Sequence, residues 1–214
     1  IPTPGSPTDD NGNPMALVPT DAEGCITITG DTSLYPVYKS IHWLTYYAAE
    51  SGLSASYVAP ASYFTDEGIV PPLPKTSRDG YTFEGWWTGT LDSSKPAGVD
   101  YGDQITDGNG NLVSAAGTGE TYYIRAGKLY LTADTTLYAK WSANYNVVTW
   151  KQKSTDEDGL PDSEKVYEYV QTFAYTGAEI GSTVSLPAEY QSADKYPGYT
   201  YNTSKSQTSA TVTN

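Results

Sequence analysis

Thr76-Ser77-Arg78-Asp79-Gly80-Tyr81-Thr82-Phe83-Glu84-Gly85-Trp86-Trp87-Thr88 is the stretch that decides the fold, together with Leu129-Tyr130-Leu131-Thr132-Ala133-Asp134-Thr135-Thr136-Leu137-Tyr138-Ala139-Lys140-Trp141 further on. Tyr81 and Phe83 stand two apart, so an extended chain carries both rings on one face. Gly85 interrupts that alternation. A glycine inside a strand pattern marks a bulge, which resets the face to which the next tryptophan points. The second segment gives another apolar strand, with a turn or kink at Asp134-Thr135. Both predict a core built on aromatic strands.

The composition agrees. Of 214 residues only 38% are hydrophobic, with 20 Gly and 14 Pro, and Tyr outnumbers Phe by 20 to 3. Tyrosine suits a half-exposed strand surface because its ring packs while its hydroxyl stays hydrogen-bonded. A mainly β chain with little or no helix is expected. A helical turn or two within 43–53 is the competing reading there, and the strand pattern is preferred.

The net charge of −13, with only 12 Lys and Arg thinly spread, argues against nucleic acid, which needs clustered cations to neutralise phosphates. It argues equally against anionic membranes. No run approaches the ~20 apolar residues of a membrane-crossing helix. The single cysteine excludes an internal disulfide framework. No leader pattern is visible, and without an initiator Met the chain reads as an excised piece of something longer.

Self-similarity organises the rest. Residues 26–38 align without gaps on 129–141, sharing Thr29/Thr132, Asp31/Asp134, Thr32/Thr135, Leu34/Leu137 and Tyr35/Tyr138. Asp9, Asn11 and Asn13 likewise match Asp107, Asn109 and Asn111. His42-Trp43-Leu44-Thr45-Tyr46 parallels Asn146-Val147-Val148-Thr149-Trp150, each as an opening strand, and Gly80-Tyr81-Thr82-Phe83 parallels Gly198-Tyr199-Thr200-Tyr201. Three units are expected: 1–39 as the back half of a repeat, 40–142 as a complete one, and 143–214 as a divergent one without its closing strand.

Residues 74–88 and 131–141 resemble the internalin-type B-repeat, also called the Listeria–Bacteroides repeat, in which a P-T-R-x-G-Y-x-F-x-G-W-Y-T segment is paired with T-x-D-x-T-L-Y-A-K-W. Residues 143–214 are similar to mucin-binding-protein (MucBP-like) modules through Thr155-Asp156-Glu157-Asp158-Gly159, Gly181-Ser182-Thr183-Val184 and Tyr196-Pro197-Gly198-Tyr199-Thr200-Tyr201-Asn202. The resemblance implies tandem small β-grasp-like modules on a secreted bacterial cell-surface protein. It implies a non-enzymatic stalk or spacer that presents other domains and neighbours its own repeats. The alternative is an adhesin module contacting host glycan, mucin or a host surface protein. The extended stretches 91–123 and 50–68 depart from the family pattern. Loops on a rigid scaffold carry function, so a private binding site is expected in them.

Four rings are the binding candidates: Trp86, Trp87, Tyr122 and Tyr123. Adjacent strand residues face opposite ways, so one tryptophan belongs to the core and the other is free to stack on a sugar or to cover a junction between repeats. Asp107, Asn109 and Asn111 place oxygens at alternate positions, as calcium loops do, but no Glu follows at EF-hand distance. Asp-Gly and Asn-Gly are also favoured in tight turns, and the turn is the preferred reading, as it is for 156–159. His42, the only histidine, has no nucleophile motif around it, and Cys25 aligns with Lys128 as a surface position. No catalytic set, cofactor site or zinc ligand set is expected.

Overall fold

The computed structural model describes residues 8, 11–13, 22–23, 25–28, 30, 38–49, 53–113, 118–156 and 159–214. Contacts divide the chain into two units, Ile1–Ser40 and Ile41–Asn214. In the first, 25–28 carry no strand, and the rest of the closing motif expected over 26–38, like Asp9 of the first Asp-Asn-Asn run, lies largely outside the described residues.

The second unit is mainly β, with no α-helix and only two single-turn 3₁₀ segments, Ala188–Gln191 and Ala193–Lys195, among the described residues. Its strands are β1 (Ile41–Tyr47), β2 (Ala61–Phe64), β3 (Tyr81–Leu91), β4 (Val99–Gln104), β5 (Tyr122–Arg125), β6 (Lys128–Leu131), β7 (Thr135–Gln152), β8 (Tyr167–Glu179), β9 (Thr183–Ser185) and β10 (Ser209–Thr211). The main sheet runs β2-β1-β7-β3-β4, with β8 added along β7, while β5–β6 and β9–β10 form two-stranded ribbons. All pairings are antiparallel except β1 with β7, in which Leu44 stands opposite Thr135 and Tyr47 opposite Tyr138.

The opening strand expected at 42–46 is therefore present, and the helical alternative is not adopted. The closing strand of 129–141 divides at the predicted Asp134 kink into β6 and the start of β7. The Asp134 carboxylate accepts the Trp43 N–H at 2.9 Å, tying that kink to β1. His42 lies beside it, Nδ1 3.8 Å from the same oxygen. A further feature was not foreseen. The closing strand and the next opening strand are one 18-residue strand, so the boundary expected at 142/143 falls in its middle, beside a bulge between Ala143 and Tyr145.

The bulge expected at Gly85 is real: pairing of β3 with β7 shifts register between Phe83 and Gly85. Gly85 has φ +126, and a Cβ there would lie 2.0 Å from the Thr106 carbonyl oxygen. The bulge thus admits the backbone of 105–107 against β3. Ile105 and Thr106 both donate their N–H to the Trp86 carbonyl at 2.8 and 3.1 Å, and the Trp86 N–H is received by Thr106 Oγ1 at 2.9 Å. The indole itself is fully buried, with Nε1 donating to the Pro74 carbonyl at 2.6 Å. Tyr46 and Phe83 pack their rings on it, centroids 4.8 and 5.2 Å away, and Trp141 continues the cluster through Phe83. A buried indole stabilises only when its N–H finds an acceptor, and both Trp86 and Trp141 (to the Ala48 carbonyl, 2.8 Å) do.

Two other atoms do not: the Trp87 Nε1 and the Tyr46 hydroxyl are buried without a hydrogen-bond partner among the described residues, and burial, assisted by Tyr63, drives the Tyr46 pKa well above the ordinary tyrosine value. An unpaired buried hydroxyl costs ~1–3 kcal/mol. Tyr46→Phe is expected to leave the denaturation midpoint unchanged or to raise stability by ~1 kcal/mol; a clear loss would place an unseen acceptor at that oxygen. Gly85→Ala, which meets both the positive φ and the Thr106 carbonyl, is expected to cost on the order of 3 kcal/mol in urea denaturation. Gly127→Ala, at φ +71 but in open space, is expected to cost only ~1 kcal/mol.

Candidate functional site

The four candidate rings do not form one platform. Trp86 is 0% exposed and Tyr122 2%, so neither has a face to offer; this corrects their assignment as ligand-stacking residues. Tyr122 sits at the start of β5 with its hydroxyl donating to Asp103 Oδ2 at 3.1 Å, and burial together with that carboxylate pushes its pKa up to about 12. Trp87 and Tyr123 are half-buried in separate sheets. Trp87 is covered by Lys140, whose Nζ lies 4.3 Å from the ring centroid, and by the edge of Tyr101. Tyr123 stacks flat on Tyr130, centroids 4.9 Å apart and planes within 2°. The neighbour of the buried tryptophan is thus not free to stack on a ligand: Trp87 is half-buried and covered by its own sheet.

The extended stretch 91–123 is likewise drawn into the fold. Ile105 and Thr106 are fully buried, Val113 donates its N–H to Ile105, and Thr106 bridges Leu112; residues 114–117 lie outside the described set. Between them stands the Asp107-Gly108-Asn109-Gly110-Asn111 turn. Asp107 Oδ1 accepts the backbone N–H of Asn109 and Asn111 at 2.8 and 2.9 Å, and Oδ2 accepts the Asn111 amide at 3.2 Å. The carboxylate is used by its own turn, which is the turn reading of this motif rather than the calcium one. Its glycines are needed for close approach: a Cβ on Gly108 would sit 2.4 Å from the Phe83 carbonyl oxygen, and one on Gly110 2.3 Å from that of Leu73. From the stretch 50–68, Val58 is buried, and Ser56 binds Thr76 and Ser77.

The site that sequence reasoning missed lies at the other end of β7. Past Ala143 the edge of β7 that pairs with β3 has no further strand, while β8 occupies the opposite edge as far as Gln152. In front of that bare edge opens a groove of ≈ 1500 Å³ between 145–153 and 184–210. Its lining includes Trp150, Lys151, Tyr167, Tyr196, Tyr199 and Tyr201. Lys151 Nζ lies over the rings of Tyr196 and Tyr199 at 4.6 and 4.9 Å, and Tyr196 donates its hydroxyl to Thr149 Oγ1 at 3.2 Å. The Tyr201 hydroxyl is buried with no partner among the described residues. Trp150 and Tyr169 meet edge to face yet remain 58% and 56% exposed. The tyrosine-rich run 196–201 was visible in the sequence. That it faces an unpaired strand edge was not, because edge pairing depends on which distant segment arrives.

No protein family, no curated protein and no solved structure matches this chain.

Hydrogen bonds from the Asn111 and Asn109 backbone hold the Asp107 carboxyl below its ordinary pKa of 3.8. A lowered folded-state pKa stabilises above the unfolded value and loses that contribution as pH falls through the folded one. Thermal stability is therefore expected to drop below about pH 4, with Asp107→Asn flattening that acid limb in melts recorded from pH 5 to 2. Calcium or a chelator at pH 7 is expected to leave the melting temperature unchanged. A calcium-dependent rise would return Asp107, Asn109 and Asn111 to the metal reading.

Proposed function

We propose that this chain is a repeat region of a secreted bacterial surface protein, built from B-repeat and MucBP-like units and acting as a non-enzymatic stalk or spacer that presents other domains. The observation that carries this reading is the continuity of β7. At ~3.3 Å per residue, its 18 residues reach roughly 55 Å. They pair with β1 and β3 in the first half and with β8 in the second. A strand shared in this way joins successive β units without a flexible linker, which is what a spacer that holds distance requires. The surface supports the role: an excess of carboxylates, 25 against 12 Lys and Arg, keeps such a chain soluble and self-repelling.

A second reading, direct contact with host glycan or mucin, is favoured by one specific observation, the exposed Trp150 beside Tyr199 and Lys151 in the groove. Exposed aromatic rings offer flat apolar faces on which sugar rings stack, and a neighbouring cation suits the acidic sugars of mucin. The rings Trp87 and Tyr123, already packed within their own sheets, fit this reading less well.

Two measurements separate the readings. Antibody raised against this region is expected to label intact producing cells, and mild protease treatment of those cells is expected to remove the signal; signal found only after lysis overturns the surface role. Immobilised mucin is expected to retain the protein no better than a control surface. Retention that Trp150→Ala abolishes would move the assignment from spacer to adhesin.

A further inference from the structure

Two hydrogen bonds fix which main-chain groups the bare edge of β7 presents. At one end Asn144 donates its N–H to the Gly80 carbonyl, on the side of β3. At the other end Lys153 donates its N–H to the Val166 carbonyl, on the side of β8. Successive residues of a strand turn their N–H and C=O to opposite edges, so Asn146, Val148, Trp150 and Gln152 present both groups to the unpaired edge. None of the four has a main-chain partner there among the described residues. The side chains alternate as well. Val147 is buried, Thr149 accepts the Tyr196 hydroxyl, and Lys151 lies over the rings of Tyr196 and Tyr199. Odd positions therefore face the tyrosine wall, and Val148 and Trp150, 45% and 58% exposed, face away from it. An unpaired edge is a template for a further strand, and a peptide added there is held by main-chain bonds while its alternate side chains meet the walls.

The charge of the groove selects the occupant. The chain as a whole carries 25 Asp and Glu against 12 Lys and Arg. Among the described residues the groove lining reverses that balance, with Lys151, Lys153, Lys165 and Lys205 against Asp156 and Asp162. Lys165 is taken by Asp162 at 2.7 Å. The other three lysines make no ion pair among the described residues. Cations left without counter-charge beside a cleft attract and orient an anionic partner. We propose that this groove takes an extended peptide with carboxylates at alternate positions. The peptide adds a strand to the 146–152 edge of β7 and turns its acidic side chains inward to Lys151, Lys153 and Lys205.

An acidic glycan shares the charge of such a peptide but not its ladder, because sugar hydroxyls do not repeat the donor and acceptor spacing of a strand edge. The dimensions also suit a peptide. The edge from 146 to 152 runs ~20 Å. The groove in front of it, ≈ 1500 Å³, exceeds the roughly 300–1,000 Å³ of a small-molecule cleft. The inference goes beyond both readings given above. A spacer and an adhesin can each hold a peptide in this way, wherever the protein is located.

The test uses the full 214-residue chain and a dye-labelled peptide of alternating valine and glutamate, read by fluorescence anisotropy. Saturable binding is expected, weakening by about tenfold as salt is raised from about 0.05 M to about 0.5 M, and the same peptide with lysine in place of glutamate is expected not to bind. Exposed Lys153 and Lys205 can be neutralised without touching the core. Lys153→Gln with Lys205→Gln is expected to weaken binding by about tenfold with an unchanged circular dichroism spectrum. The ladder is tested apart from the charge by two N-methylated peptides, one methylated on every valine and one on every glutamate. The N–H groups of the two sets point to opposite edges of the bound strand, so one peptide is expected to bind like the parent and the other not at all. On addition of the parent peptide, hydrogen exchange is expected to slow by about tenfold at the amides of 146, 148, 150 and 152 and to stay unchanged at 147, 149 and 151. No saturable binding, equal binding of the two methylated peptides, or edge amides that do not slow would each overturn the proposal. Heparin that binds where the peptide does not would move the groove to acidic glycans. Loss of surface labelling with peptide binding intact would count only against the surface role.

Discussion

The clasp between the Gly85 bulge and the 105–111 segment is the constraint on which the second unit depends. A carbonyl oxygen from a segment twenty residues away occupies the space in which any side chain at Gly85 would begin. Around that contact the Trp86 backbone is paired on both N–H and C=O, and the indole is buried with its N–H satisfied. Burial of an indole contributes several kcal/mol only when no polar group is stranded with it. The bulge makes this possible, because it turns Trp86 inward and brings Thr106 within reach at the same step. Gly108 and Gly110 extend the same logic, each letting backbone lie directly on backbone of Phe83 and Leu73.

That arrangement accounts for what could be read before any coordinates. The alternation of Tyr81 and Phe83, the interruption at Gly85 and the apolar run ending at Trp141 are local signals, and local sterics decide strand and bulge. The Asp107 turn was equally legible, since Asp and Gly form such turns through their own side-chain and backbone chemistry. Tyr122 and the stretch 91–123 were not. Their aromatic and polar residues look like an exposed loop in sequence, and only the arrival of Ile105 and Thr106 beneath Trp86 makes them core. The same limit applies to β7. The pattern of 135–141 and that of 146–150 each announce a strand, but nothing in either says that the two are continuous. The matching of Val148 with Leu44 was out by one residue in face, because the bulge between Ala143 and Tyr145 displaces the alternation and no glycine marks it.

Continuity of β7 has consequences for both ends of the unit. In its first half β1 pairs along one edge at 135–138 and β3 along the other at 138–143, and the aromatic core lies against it. In its second half one edge is paired and the other looks onto a tyrosine-lined groove. Natural sheets protect such edges with charge or with prolines, and 145–152 carries only Lys151 and no proline. The groove thus fronts the stretch of β7 whose second edge is unpaired among the described residues.

Amide hydrogen exchange along β7, followed residue by residue by NMR in dilute, monomeric solution, tests this account most directly. It predicts slow exchange at Ser142 and Ala143, which β3 and β8 flank on opposite edges, and alternation of slow and fast amides from 145 to 152, where only those facing β8 are bonded. A gap in protection at 142–144, marking two separate strands, or uniform protection through 152, marking an edge already filled within one molecule, would contradict it.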